Sequence, residues 1–249
     1  MFESFGFSPK ELISLSGGGG KTSLLFALSD FFLPRHSIMT TTTKIAVPTG
    51  EVPVFVGDMA FCKRTAFSLS DPAQAIYARS DKNGKLIGFS AEDVDDFYRK
   101  EKSGCLLVEA DGAKGFPFKG YKGNEPVIPR LSTHLIVMVG AEIFFQKPNE
   151  KVIFRLSELK QRWDFDENNE MRIPLIAEIL EDSEGYLRGA PNPSHCRRTL
   201  FINKGDLLDL SSVVTIARAL EVYLTQYHDL YIGSLLNRRI YLHRKMRFF

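Results

Sequence analysis

The 249-residue sequence predicts an α/β fold in which helices cover both faces of a mainly parallel sheet. Three observations lead there. Six short runs are near-continuous in Val, Ile, Leu and Phe: Glu11–Ser16, Ser37–Thr41, Cys105–Ala110, His134–Val139, Thr199–Asn203 and Asp229–Leu235. Strands buried on both faces read this way, whereas half-exposed strands alternate. Segments of helical periodicity lie between these runs, and a cluster of four glycines joins the first run to the first helical segment.

The elements follow in order. Lys21–Leu33 spaces Leu24, Leu25, Leu28, Phe31 and Phe32 as one helical face, and Pro34 stops it. Ser90, followed by Glu92 and Asp93, caps a helix over Ala91–Lys102. Two further helices are expected at Ile173–Leu180 and Ser211–Gln226, the latter with Val214, Ala217, Leu220 and Leu224 on one face. Val52–Phe89 breaks the alternation. There Ala75–Arg79 and Leu86–Phe89 flank a turn containing Asn83-Gly84, which reads as a β-hairpin inserted beside the sheet. Gly112–Pro129 and Gly185–Pro193, rich in Gly and Pro, read as long loops. The expected organisation is a single domain over 1–237, with an insertion near 52–89 and a basic tail over 238–249.

Charge and composition narrow the function classes. Lys and Arg number 32 against 30 Asp and Glu, a net charge of +2. Five of the basic residues, Arg238, Arg239, Arg244, Lys245 and Arg247, fall in the last twelve positions, which hold no acid. The body is therefore slightly acidic, and a nucleic-acid partner is not expected. Cys62, Cys105 and Cys196 are scattered and odd in number, which excludes a disulfide framework and favours a reducing compartment. Cys105 lies in an apolar run and reads as a buried hydrophobe. With no signal-peptide pattern and no apolar run of about 18 residues, the expected location is cytoplasmic, with no membrane partner.

The strongest motif is Ser16-Gly17-Gly18-Gly19-Gly20-Lys21-Thr22-Ser23, placed between a predicted strand and a predicted helix. Glycines let backbone N–H groups wrap phosphate oxygens, and the helix N-terminus adds partial positive charge. Lys21 would neutralise the β- and γ-phosphates, and the Thr22 hydroxyl would hold Mg²⁺. The loop has Leu15 where the commonest phosphate-loop pattern has Gly. Its spacing instead resembles the Gly-Gly-x-Gly-Lys-Thr loop of SIMIBI-class P-loop NTPases. The second lysine that often marks that class is Ser16 here.

Two acids end the third apolar run, Leu106-Leu107-Val108-Glu109-Ala110-Asp111-Gly112. Ligands of open α/β sheets sit at strand carboxyl ends. Glu109 would hold Mg²⁺ or position water, and Asp111 is a second candidate because alternation puts both on one side. Glu109-x-x-Gly112 resembles an element of metal-cofactor-chaperone GTPases in which the Gly N–H approaches the γ-phosphate. Asn203-Lys204-Gly205-Asp206 resembles the Asn-Lys-x-Asp motif that reads guanine. A carboxylate at Asp206 accepts from N1–H and the N2 amine together, a donor pair adenine lacks. The Lys204 stem covers the base, and Asn203 braces the loop. Gly233-Ser234-Leu235 is a weaker candidate for a loop at the base edge.

Thr40-Thr41-Thr42-Thr43-Lys44 follows the second run. Thr40 and Thr41 suit a strand equally well, whereas Thr42, Thr43 and Lys44 are candidates to contact nucleotide. The Gly112–Pro129 loop carries Lys114, Lys119, Lys122 and Glu125 and is read either as closing over the nucleotide or as solvated. His195-Cys196 lacks partners at metal-ligand spacing, and His134 and His228 read as structural.

Taken together, Ser16–Ser23, Thr40–Lys44, Leu106–Gly115, Glu125–Pro129 and Glu184–Asp206 resemble the YqeC family, described as accessory proteins of selenium-dependent molybdenum hydroxylases. Asn124 stands where that family often has His before Glu-Pro-Val-Ile-Pro. The resemblance implies a three-layer P-loop NTPase fold. It also implies a cytoplasmic role in maturation of a molybdenum hydroxylase; joined to the motifs above, the expected function is Mg²⁺-dependent binding of GTP, with ATP open, and slow hydrolysis coupled to that maturation. The partner would be that hydroxylase or its cofactor-maturation proteins. Two other functions stay open: a small-molecule kinase or nucleotidyl transferase acting on a cofactor precursor, and a nucleotide-sensing scaffold without turnover.

Overall fold

A computed structural model describes the chain except for residues 34, 48–51, 69–73, 101–103 and 248–249 and the side chains of 66–68. Nine strands form one sheet: β1 (Lys10–Gly17), β2 (Ser37–Thr41), β3 (Val54–Val56), β4 (Gln74–Ala78), β5 (Gly104–Glu109), β6 (His134–Gly140), β7 (Arg197–Asn203), β8 (Asp229–Ser234) and β9 (Arg239–Lys245). Their order is β9-β8-β7-β6-β1-β5-β2-β4-β3. Every neighbouring pair is parallel except β8 with β9. The helices are α1 (Lys21–Phe32), α2 (Met59–Ser68), α3 (Ala91–Lys100), α4 (Leu156–Lys160), α5 (Ile173–Glu181) and α6 (Leu210–Tyr223).

The six predicted strands and four predicted helices are all present, with ends shifted by a few residues. Full burial of β1, β5, β6 and β8 explains their unbroken apolar character. Alternate side chains enter two layers. Ile13, Leu15, Met39, Leu107, Ile136 and Met138 pack with α1 on one face. Leu12, Leu106, Val108, Leu135, Val137 and Val139 go to the other, where α3, α5 and α6 pack. The register sets Leu15 of β1, Glu109 of β5 and Thr41 of β2 side by side. The carboxyl ends of the central strands thus share one rim.

Three expectations are corrected. Most of Ala75–Arg79, expected as the first strand of the hairpin, belongs to β4, which joins the main sheet beside β2. The hairpin is Ser80–Lys82 with Lys85–Ile87, and Lys44–Ala46 adds a third strand to it. Asn83 and Gly84, with φ of 54° and 69°, supply the left-handed pair that a two-residue type I′ turn requires. Gly112–Pro129 is not an open loop: Phe118, Lys119, Tyr121 and Ile128 are buried, and Phe118–Lys119 pairs with Ile153–Phe154. The basic segment from Arg238 is not a tail, because β9 adds an edge strand to the sheet and Leu242 in it and Met246 just after it are buried. His243 stacks on Tyr231 at 4.2 Å, and its Nε2 lies 2.8 Å from Asp229 Oδ1. The expected stop at Pro34 and the end of the Ala91–Lys102 helix lie outside the described residues.

Truncation after Asn237 should therefore damage the fold. Loss of Leu242 and Met246 burial alone is worth about 3 kcal/mol or more. Thermal unfolding monitored by circular dichroism should show a clear drop in melting temperature or an insoluble product; an unchanged melting curve would contradict β9 as an integral strand.

Candidate nucleotide site

The glycine loop leaves the end of β1 and turns into α1. Gly17 has φ 94°, and a Cβ there would overlap the carbonyl oxygen of Met138 on β6, so only glycine fits. Gly20, at φ 115°, caps α1 in the left-handed region. Not all loop amides are free for an anion. Gly18 N–H donates to Met138 O and Gly19 N–H to Phe116 O, both at 2.8 Å, and Gly17 N–H donates to Asp111 Oδ2 at 3.0 Å. Among the described residues, the amides of Gly20, Lys21, Thr22 and Ser23 meet no protein acceptor. These four open the helix and are the donors an anion would take.

Behind the loop lies a buried charge network. Asp111 is fully buried, with Lys21 Nζ 3.0 Å from Oδ1 and Lys119 Nζ 3.3 Å from Oδ2. Tyr121 donates its hydroxyl to Oδ2 at 2.6 Å. Burial would raise the Asp111 carboxyl, but the two ammonium groups hold it below the usual range. Lys119, also fully buried, donates to Gly112 O at 2.8 Å and to Glu125 Oε2 at 3.0 Å. Arg155 holds Glu125 from outside at 2.8 and 3.3 Å. Lys21 itself donates to Gly17 O at 2.5 Å. Asp111 is thus the counterion of Lys21 and Lys119 instead of facing a metal: Oδ2 takes the hydrogen bonds, while Oδ1 is buried with only the Lys21 ion pair beside it.

Glu109 is buried, and Thr22 Oγ1 donates to its Oε2 at 2.8 Å. Burial raises the Glu109 carboxyl above its ordinary range, opposed by the nearby Lys21 charge. Among the described residues no group of three or more His, Cys, Asp or Glu side chains would hold a metal ion. Mg²⁺ held by one hydroxyl, one carboxylate, water and phosphate oxygens needs no such group, and the all-oxygen donors of Thr22 and Glu109 fit it.

The other end of the site is built by Asn203, at the end of β7. Its Nδ2 donates to Gly19 O at 2.7 Å, and its Oδ1 accepts from Leu235 N–H at 3.0 Å. One side chain thus ties the glycine loop to the loop after β8. Lys204 follows in the left-handed region at φ 61° and is ion-paired to Glu142. A cavity of about 790 Å³ runs between these loops, within the range of small-molecule sites. Gly19, Gly20, Ser23, Asn203, Lys204 and Asp206 line it, and Ser234 and Leu235 close its far side.

Not every expected residue reaches this cavity: Lys21, Thr22, Glu109 and Asp111 sit beside its glycine-loop end without lining it. Gly17 and Gly18 lie behind it, held to β6 and to the 116–117 backbone. Gly112 borders open space, since a Cβ there would meet nothing within 4 Å. Thr41 donates to Glu109 O at 2.7 Å and Thr42 to Val127 O at 2.6 Å, so these hydroxyls tie loops together. Thr43 N–H donates to Thr41 Oγ1, and Lys44 is exposed on the three-stranded sheet; neither lines the cavity. Cys62, Cys105 and Cys196 are buried and free, their thiols pushed up to about 11, 12 and 12 by burial. Burial holds His134 down to about 3 as a neutral partner of Thr199. Sequence reading did not single out Lys119 as the partner of Asp111, nor Glu142; their neighbours are set only by tertiary packing.

Fold and loop define a P-loop-like three-layer α/β protein with its candidate site on the carboxyl rim of the sheet. The chain belongs to the YqeC family. The family profile described as YqeC protein matches residues 13–157. A relative from Escherichia coli (strain K12), described as uncharacterized protein YqeC, is 30% identical over 200 residues, covering 78% of this chain and 75% of its own. No solved structure matches the chain. No described helix is long and apolar enough to cross a membrane.

Two substitutions test the network. Lys119→Met leaves Asp111 and Glu125 short of a buried cation and should cost about 3–5 kcal/mol in urea unfolding at neutral pH. That deficit should shrink in acid, because a carboxyl lowered in the fold contributes stability above its unfolded value and loses it as pH falls. Glu109→Gln should act oppositely. A carboxyl raised in the fold loses its contribution as pH rises through the folded value, so the variant should melt higher than wild type at pH 8, and the gap should close toward pH 4. A lower melting temperature at pH 8 would contradict the unfavourable burial of the Glu109 charge.

Proposed function

We propose that this protein binds a purine nucleotide with Mg²⁺, GTP in preference to ATP, and hydrolyses it slowly in support of maturation of a selenium-dependent molybdenum hydroxylase. The observation that carries the nucleotide reading is the cavity that joins the free amides at the start of α1 to the Asn203–Asp206 loop. A triphosphate would meet the amides of Gly20–Ser23 and the Lys21 ammonium. Thr22 and Glu109 would hold the metal, whose charge offsets that of the phosphates. The base would lie on the Lys204 stem with its edge toward Asp206. The hydroxylase connection rests on the family resemblance and gives the protein a cytoplasmic setting.

Slow turnover follows from how the cations are engaged. Lys119, the second buried ammonium, is saturated by Asp111, Gly112 O and Glu125. Arg155 is engaged by Glu125. A partner that supplies a further cation would accelerate phosphoryl transfer by about 10³–10⁵.

Competition titrations with GTP and ATP test the reading. Lys21→Ala should lose both nucleotides, and Asp206→Asn should cost GTP about 1.5–3 kcal/mol while sparing ATP. Chelation of Mg²⁺ should weaken wild-type binding strongly and Thr22→Ala far less. Wild-type affinity retained in Lys21→Ala would defeat the phosphate site, and equal affinity of wild type for GTP and ATP would defeat base reading alone.

A further inference from the structure

The base-reading loop carries a problem of its own. Lys204 and Asp206 are two residues apart across a tight turn, Gly205–Leu207, and both line the cavity. A free ammonium there would fold onto the Asp206 carboxylate and occupy the oxygens needed for a base. The structure shows another arrangement. Lys204 Nζ is bound to Glu142 Oε1, on the short 3-10 turn Ala141–Phe144 that follows β6. Glu142 is mostly buried, at 13% side-chain exposure, whereas Lys204 is 42% exposed. Among the described residues no hydrogen bond or ion pair reaches the Asp206 carboxylate.

Resting on the nucleotide reading above, we propose that Glu142 is a specificity-positioning residue: it holds the Lys204 ammonium aside, so that Asp206 stays free to accept the paired N–H donors of a guanine edge. The Lys204 stem is thereby stretched along the cavity as a platform for the base. Lys204 holds a left-handed backbone, at φ 61°, and its side chain reaches Glu142 and not Asp206. Asn203 fixes the loop at both ends, so the ion pair is the remaining control over the side chain. The second oxygen, Glu142 Oε2, is buried without a partner, a cost that a purely structural surface pair would not carry.

The test is the ratio of GTP to ATP affinity, measured with Mg²⁺ for wild type, Glu142→Gln, Lys204→Met and the double variant, each checked by thermal unfolding. Glu142→Gln should release the ammonium onto Asp206 and lower the GTP-over-ATP ratio about tenfold or more, mainly by weakening GTP. The double variant keeps an apolar stem but has no ammonium, so the ratio should recover. Lys204→Met alone should keep the preference, and this arm stands even if Glu142→Gln does not fold. An unchanged ratio in Glu142→Gln, an equal loss of both nucleotides, or no recovery in the double variant would overturn the proposal and leave the nucleotide site intact. A wild type without purine preference would overturn it together with the base-reading claim, while loss of binding in Lys21→Ala would still support the phosphate site.

Discussion

A carboxylate removed wholly from water must be compensated by opposite charge and hydrogen bonds, and Asp111 meets that constraint by drawing the glycine loop, α1 and the 112–129 segment together. It takes an amide from the glycine loop, an ammonium from α1, and an ammonium and a phenol from the 112–129 segment. The remaining geometry follows from this convergence. The glycine loop is held against β6, Lys21 is drawn inward, and the 112–129 segment is folded down instead of standing in solvent. Glu125 and Arg155 extend the same compensation outward to the start of α4. Glu109, two residues earlier and on the α1 side of the sheet, has no such set of partners. It shares burial with Asp111 without the same relief, which is why the two acids differ in proton affinity.

Legibility in the sequence divided along the line between local and tertiary causes. Strands buried on both faces announce themselves because burial imposes a composition that each run displays alone. The glycine loop is equally local, since its backbone geometry demands residues without Cβ. β9 was hidden by the opposite effect. Arg239, Arg244 and Lys245 sit on an exposed sheet edge, where charge protects unpaired backbone from further pairing, and that composition is indistinguishable from a solvated tail. β4 was drawn into the hairpin because Asn83-Gly84 is a strong turn signal and its two-residue loop leaves only Ser80–Lys82 for the preceding strand.

The same division runs through the site. The placement of Lys21, Thr22, Glu109 and Asn203 on the carboxyl rim could be read from motifs because it depends on fixed offsets from a strand end. Lys119 lies among glycines and prolines, in company that ordinarily means solvent. Only the crossing of the 112–129 segment beneath the glycine loop reveals a buried cation. Thr42 and Thr43 were expected at the nucleotide because they follow a strand end; the Thr42 hydroxyl instead donates to Val127 O, and that of Thr43 lies 3.3 Å from Thr41 Oγ1, so both have partners within the chain.

The two ends of the cavity differ in what their charges are free to do. At the glycine loop the buried cations and Glu125 are already compensated: Lys21 and Lys119 by Asp111, Glu125 by Lys119 and Arg155. An incoming anion there would rely on uncommitted amides and on a metal brought to Thr22 and Glu109, more than on net protein charge. At the other end, Lys204 is withdrawn by Glu142 and the Asp206 carboxylate is left unopposed. On the nucleotide reading proposed above, a ligand with phosphates at one end and paired N–H donors at the other would be oriented by this difference. The overall charge of +2 carries none of that information, because β9 holds the excess basic residues at the sheet edge. What would orient such a ligand is the local pattern of which charges remain uncompensated.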